Sequence, residues 1–231
     1  MTGLVDPRLR AAVESSLAWY EDVFALHAIP TECDAGLWWA RGQPPPWHSG
    51  VKTTEPNLEV DRVLAVHGQG AVADSFGDLD LAPYGFTVLL DATWVHHPPL
   101  DEPLSLLPHG WTVVRDAGLL AEWSRAHDYA GVLPPAILDR PAFTVLARDV
   151  KGDLAGGAVI HCGNRPDVLG LSNTWSATSA EVDQAEVLEV VGALHPGSSV
   201  TDFAQGADLA AMVAAGYTPL GPQRVWVLEQ V

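Results

Sequence analysis

The chain has 231 residues, 48% hydrophobic and 18% charged, enough to bury a substantial core and well outside the composition of disordered chains. Its formal net charge of −17, with twelve scattered Lys and Arg, excludes general nucleic-acid binding and leaves a cationic small molecule or a basic peptide as the ligand such a field attracts. No apolar run reaches bilayer length, and Asp6, Pro7 and Arg8 interrupt any signal-peptide core within Met1 to Arg10, so a cytoplasmic protein without a membrane span is expected.

Asp6-Pro7 places a side-chain acceptor at a cap and a ring at the first helical position, which predicts a helix over Leu9 to His27. Its apolar side, Leu9, Val13, Leu17, Tyr20 and Phe24, recurs at helical spacing and should face a sheet. Leu37 to Arg41 reads as a strand, cut off by Pro44-Pro45-Pro46, whose missing amide donors suit a sheet end. A helix over Glu59 to His67, a strand over Ala71 to Phe76, and one bent strand or two short ones over Phe86 to Val95 follow. His96 to Gly110 is rich in proline and lacks periodicity, so it reads as a solvated connection. Beyond it the pattern predicts a strand over Trp111 to Arg115, a helix over Ala117 to His127 and a shorter helix over Pro134 to Leu138. An antiparallel meander comes next, over Phe143 to Arg148, Ala155 to Cys162 and Val168 to Trp175. A helix over Ala180 to Leu194, a strand over Ser199 to Phe203, a helix over Ala207 to Ala215 and a strand over Arg224 to Leu228 complete the order. Cys33 and Cys162 have neither metal-ligand nor redox spacing and are expected as buried thiols.

The two halves share a pattern. Val72-Ala73-Asp74, Asp80-Leu81, Gly85-Phe86-Thr87 and Thr93-Trp94-Val95 recur as Val200-Thr201-Asp202, Asp208-Leu209, Gly216-Tyr217-Thr218 and Val225-Trp226-Val227, displaced by 128, 128, 131 and 132 residues. A drift of a few residues is what loop insertions produce between diverged copies of one supersecondary unit. The expected division is a truncated lobe over residues 1–98, a Pro-rich connection over 99–110 and a second lobe over 111–231.

The second half runs strand, two helices, three antiparallel strands, helix, strand, helix, strand, and Asp208-Leu-Ala-Ala-Met-Val-Ala-Ala-Gly216-Tyr217 ends its last helix in a Gly-Tyr step. That order and that step resemble the GNAT superfamily, the Gcn5-related N-acetyltransferases, over about Trp111 to Val227, and a shortened version covers the first half. The resemblance implies an α/β (α+β) fold, a mixed, largely antiparallel sheet flanked by helices in two GNAT-like lobes. It also implies transfer from acetyl-CoA or another acyl-CoA to an amine of a small molecule or peptide. The family holds the pyrophosphate on a loop of Arg or Gln, two residues, Gly, one residue, Gly or Ala, where the central helix begins. Here that stretch is Ser176-Ala-Thr-Ser-Ala-Glu181, with no basic residue and no glycine. Ser176, Thr178 and Ser179 are candidate cofactor contacts through their hydroxyls, or else caps of the helix, and Gln205 before the last helix is a fourth candidate. Lys52, in the matching stretch of the first half, brings a charge that could sit on a phosphate. Many members carry a tyrosine general acid four residues before the Gly-Phe step; that position is Met212 here, and a thioether cannot donate a proton. Tyr217 is expected in the core.

The candidate substrate and catalytic residues lie where the second half's sheet should splay. Alternation along Leu171-Ser-Asn-Thr-Trp-Ser176 puts Asn173 and Trp175 on one face, Ser172 and Thr174 on the other. Asn173 suits a substrate amide or amine, and Trp175 a pocket wall. Asp202 suits a base or an ammonium contact, although Asp74 at the matching place of the first half suggests a structural role in the repeat. Neighbouring strand residues point apart, so His161 and Cys162 do not form a base and nucleophile, and His161 stands as a substrate contact. No metal site is expected from His96-His97 or from Asp74, Asp78 and Asp80. Two other readings stay open: a non-catalytic binding or regulatory protein on the same fold, and a transferase that takes its donor from an aminoacyl-tRNA.

Overall fold

A computed structural model describes residues 5–68, 70–100, 107–163, 165, 167–177 and 182–228. Helix α1 spans Pro7–Leu26, and the Asp6 carboxylate accepts from the Arg8 amide at 2.8 Å, so the cap-and-proline signal marks its true start. Then come β1 (Thr31–Asp34), β2 (Leu37–Ala40), β3 (Val51–Thr53), α2 (Val60–Val66), β4 (Val72–Asp74), a 3₁₀ turn (Ala82–Tyr84) and β5 (Phe86–His97). The second half holds β6 (Trp111–Val113), α3 (Ala117–Ala126), a 3₁₀ helix (Pro135–Asp139), β7 (Phe143–Val150), β8 (Asp153–His161) and β9 (Val168–Ser176). It ends with α4 (Gln184–Leu194), β10 (Ser199–Ala204), α5 (Gly206–Ala214) and β11 (Thr218–Leu228).

All eleven strands join one sheet in the order β1-β2-β3-β4-β11-β5-β10-β9-β8-β7-β6. Neighbours are antiparallel except β3 with β4 and β9 with β10. The repeated segments occupy mirrored places: β4 and β10 flank the central β11–β5 pair, and each half's last strand lies between strands of the other half. The sheet is therefore continuous through its middle, and separating the halves would break the long β5–β11 ladder. His96 and His97 belong to β5 rather than to a solvated connection. Cys33 is exposed on β1 at the sheet edge and Cys162 is half-buried, so the expectation of two buried thiols fails; edge strands leave one side without a covering layer.

Two faces of the sheet are covered. On one, α4 and α5 bury Val95, Leu169, Leu171, Val200, Ala204, Met212 and Tyr217. On the other, α3 and α1 pack over Val145, Val159 and Trp175, and α1 continues over Trp94 through Ala12 and Val13. No helix among the described residues is long and apolar enough to cross a membrane.

Gly157 on β8 shows how tight the α3 face is. Trp123 is fully buried and its indole N–H donates to the Leu146 carbonyl at 2.9 Å. A Cβ on Gly157 would fall 2.5 Å from that same carbonyl oxygen and 2.9 Å from Trp123 Cε2. Gly157→Ala is expected to cost roughly 2–4 kcal/mol in urea unfolding, the range for overpacking plus a broken buried hydrogen bond. An unchanged midpoint would show that Trp123 does not occupy this place.

Candidate functional site

Strands β9 and β10 run parallel and paired only over Val168–Gly170 and Ser199–Thr201. Beyond that, β9 continues to Ser176 and β10 to Ala204, and among the described residues no strand bridges them. The sheet opens there, one edge of each strand being left without a ladder partner.

The opening coincides with a bulge in β9. Val159 faces Ser172 and Gly157 faces Trp175, so Ala158 is opposed by two residues, Asn173 and Thr174. Asn173 has φ +53°, a left-handed conformation that asparagine tolerates better than most residues. The bulge changes the faces expected from strict alternation. Leu169 and Leu171 point to α4, yet Trp175 points to α3, edge-on to Trp123 at 5.8 Å and parallel to His127 at 5.6 Å. Asn173 shares that side, its Oδ1 lying 3.4 Å from His127 Nε2. Ser172 joins them, accepting from Asn173 Nδ2 at 3.0 Å, where alternation had set it on the opposite face.

His127, which the sequence did not single out, closes this side. It caps the C-terminus of α3 and tilts against Tyr129 at 5.2 Å. Burial pushes its pKa below the ordinary imidazole value, while the bond to Asn173 and the Asp128 carboxylate pull it back. Its place at a helix end is readable from the sequence; its approach to a residue forty-six positions later, |i−j| = 46, is not.

His161 lies elsewhere. It is 1% exposed under α1, its Nε2 2.8 Å from the Asp22 carboxylate, with Phe143 and Trp19 against its ring. It pairs with Gly170, at the closed end of the β9–β10 pair, and is not brought together with Trp175.

Asp202 sits on the other face. Val200 and Ala204 beside it pack under α4 and α5, whereas Phe203 points away to stack edge-on against Trp94 at 5.5 Å. Burial raises the Asp202 carboxyl to about 8, helped by Asp208 and opposed by the Phe203 amide, which donates to Oδ1 at 2.7 Å. Tyr217 lies nearby, 3% exposed, its hydroxyl without a hydrogen-bond partner among the described residues; burial, with the Asp202 charge, raises its pKa. The repeat partner behaves differently. Asp74 accepts from the amides of Phe76, Gly77 and Leu79 at 3.3, 2.9 and 3.0 Å and so staples the loop after β4. The structural role suggested by symmetry thus belongs to Asp74.

The cofactor candidates are divided. Ser176 ends β9, while Thr178 and Ser179 lie outside the described residues. The cap of α4 is Asp183, whose carboxylate accepts from the Ala185 and Glu186 amides at 3.0 and 3.2 Å. Those are donors a pyrophosphate would use, and a negative charge already holds them, so the start of α4 fits that anion poorly. Gln205 is the N-cap residue of α5, exposed, with no side-chain capping bond. Lys52 is not available to a phosphate: it is fully buried in β3 with Tyr20 and Trp94 rings 5.3 and 5.4 Å from its Nζ. The β3–β4 end is tied by Ser75 to Thr53, amide to hydroxyl at 2.8 Å and hydroxyl to carbonyl at 2.6 Å.

A mixed, largely antiparallel sheet flanked by helices, with two parallel strands that part beside the start of a helix, is the acyl-CoA N-acyltransferase fold of the GNAT proteins, and solved structures agree. A GCN5-related N-acetyltransferase from Kribbella flavida is 14% identical, matching 95% of this chain and 97% of its own with a TM-score of 0.61. A protein from Novosphingobium aromaticivorans assigned to the GNAT acetyltransferases is 13% identical, matching 97% of this chain and 100% of its own with a TM-score of 0.63. No protein-family model matches the sequence, and no curated protein is similar to it. At such identities the likeness carries the fold.

Proposed function

We propose that the chain is an acyl-CoA-dependent N-acyltransferase, with acetyl as the acyl group, acting on an amine of a small molecule or peptide. It is built as two GNAT-like lobes, residues 1–98 and 111–231, that exchange their last strands, and its working opening is the one in the second lobe. The parting of β9 from β10 with a bulge at Asn173 carries this reading. The thioester end of the donor lies along the α4 and α5 face near Ser176 and Gln205, with Thr178 and Ser179 as further hydroxyl contacts by their place in the sequence, and the amine comes from the α1 and α3 face past Asn173 and Trp175. Asp202, on the donor side and protonated at neutral pH, gives its proton to the departing thiolate, the step Met212 cannot perform. His161, enclosed under α1, supports that wall without touching substrate.

The test is the melting temperature with coenzyme A and acetyl-CoA. A ligand at 100 times its Kd stabilises by about 2.7 kcal/mol, a rise of roughly 5–10 °C for a chain of this size. No rise at millimolar ligand overturns the reading in favour of a non-catalytic protein on the same fold, which the Asp183 cap favours.

A further inference from the structure

Nine histidines are present, and their hydrogen bonds separate one of them from those enclosed in the core. His48 is bound at both nitrogens, by the Trp19 indole N–H at 3.0 Å and the Pro46 carbonyl at 3.0 Å. His161 gives one nitrogen to Asp22 and buries the other without a partner among the described residues. His127 bonds Asn173 through Nε2, while its Nδ1 has no partner among the described residues and is not enclosed.

Asn173 fixes which nitrogen carries the proton. Its Nδ2 donates to Ser172 Oγ at 3.0 Å, so its Oδ1 is the atom turned to His127, at 3.4 Å from Nε2. With that amide oxygen as acceptor, the tautomer that completes the bond has hydrogen on Nε2 and the lone pair on Nδ1. The ring cannot swing away easily. Trp175 stacks on it at 5.6 Å with 15° between planes, and Trp123 and Tyr129 stand against it, both at 5.2 Å. A nitrogen base is thus held by its neighbours at the bulge where the sheet opens, on the face opposite Asp202.

We infer that His127 is the residue that takes the proton from the acceptor ammonium, and that Asn173 is its positioning residue; this rests on the N-acyltransferase reading above. The ammonium N–H bond breaks and its proton goes to His127 Nδ1. The freed amine lone pair forms the C–N bond at the thioester carbonyl carbon, and the C–S bond breaks with its electron pair leaving on sulfur. The Asp202 proton neutralises that thiolate. The second proton lost from nitrogen returns to the Asp202 carboxylate, and His127 releases its own to solvent, so one proton leaves per amide formed. The acceptor class follows: an amine that arrives charged, drawn by the −17 field and by the Asp128 carboxylate beside the ring. Among the described residues, Asp128 is the charge acting on His127 and Tyr129 the other titratable group against it; β9 and α3 contribute Asn173, Trp175 and Trp123.

The experiment measures kcat/KM against pH with acetyl-CoA and three amine probes, tryptamine, spermidine and a lysine-containing peptide, alongside coenzyme A binding and ¹⁵N shifts of the His127 ring. Wild type should show an acid limb below the ordinary imidazole range of about 6.5. His127→Gln should remove that limb and lower the rate about 10²–10³-fold with coenzyme A affinity unchanged. Asn173→Gly, which keeps the left-handed backbone, should return the ring to a mixture of tautomers. Failure of wild type to bind coenzyme A overturns the transferase reading. Intact binding with an acid limb surviving in His127→Gln overturns this inference, and so does a ring whose Nδ1 carries the hydrogen at neutral pH, whichever probe turns over.

Discussion

Replacing Lys52 with methionine should raise the melting temperature by about 5–12 °C, the equivalent of roughly 2–4 kcal/mol. The ammonium is fully buried in β3 and its Nζ has no hydrogen-bond partner among the described residues. Burial lowers its pKa to about 7, with Asp74 pulling it back toward the ordinary value of 10.5. The rings of Tyr20 and Trp94 offset part of that cost, by about 1–2 kcal/mol for a desolvated cation. Methionine keeps the unbranched stem and removes the charge. The pH dependence has a definite sign. Above 10.5 lysine is neutral in both states and the penalty is absent. Between 7 and 10.5 the unfolded chain holds a proton that the folded chain does not, so stability climbs with pH. Below 7 both states are protonated and the penalty is constant. Urea unfolding at pH 7 and pH 10 should therefore differ by less in Lys52→Met than in wild type. A variant that melts below wild type would mean that the ammonium holds the β3–β4 end together.

Lys52 also marks where reading the sequence stops. As part of Lys52-Thr-Thr-Glu-Pro56 it stands where the first half should bind phosphate, and the short polar run gives no strand signal. Its burial depends on Tyr20 from α1 and Trp94 from β5, contacts that periodicity cannot supply. The matching segments are easier to place because they sit in the strands themselves: Val72–Asp74 and Val200 to Asp202 are β4 and part of β10, on either side of the central β11–β5 pair. What the pattern could not reveal is that the last strands cross over, since pairing partners are chosen by the whole sheet. The candidate site was legible to the same degree. Asn173, Trp175 and Asp202 do lie about the opening, but a bulge of one residue turned Trp175 to α3, and His127 entered through the tertiary fold. The N-cap of α4 is Asp183 rather than one of the hydroxyls before it, because the helix starts at Gln184, beyond their reach in sequence.

Replacing Asp202 with asparagine should lower kcat for acyl transfer by about 10²–10⁴-fold while leaving coenzyme A affinity within a few-fold of wild type. The carboxyl is held up at about 8, so near neutrality it is an acid with a proton to give, and its charge acts on the buried Tyr217, whose hydroxyl has no hydrogen-bond partner among the described residues. In wild type, kcat should fall as pH rises through 8, where that proton is lost, and the alkaline limb should vanish in Asp202→Asn. A purely structural role makes a different pattern. The folded chain keeps the Asp202 proton between the ordinary 3.8 and about 8 while the unfolded chain has lost it, so the contribution of Asp202 to stability is full below 3.8 and declines as pH rises through 8. Asparagine removes that decline, so the variant should melt at or above wild type at pH 8. Lost activity in a protein that is no less stable separates proton donation from scaffolding. Lost stability with kcat and its alkaline limb intact would return Asp202 to the role Asp74 holds in the other half, a side chain that ties down the backbone beyond its strand.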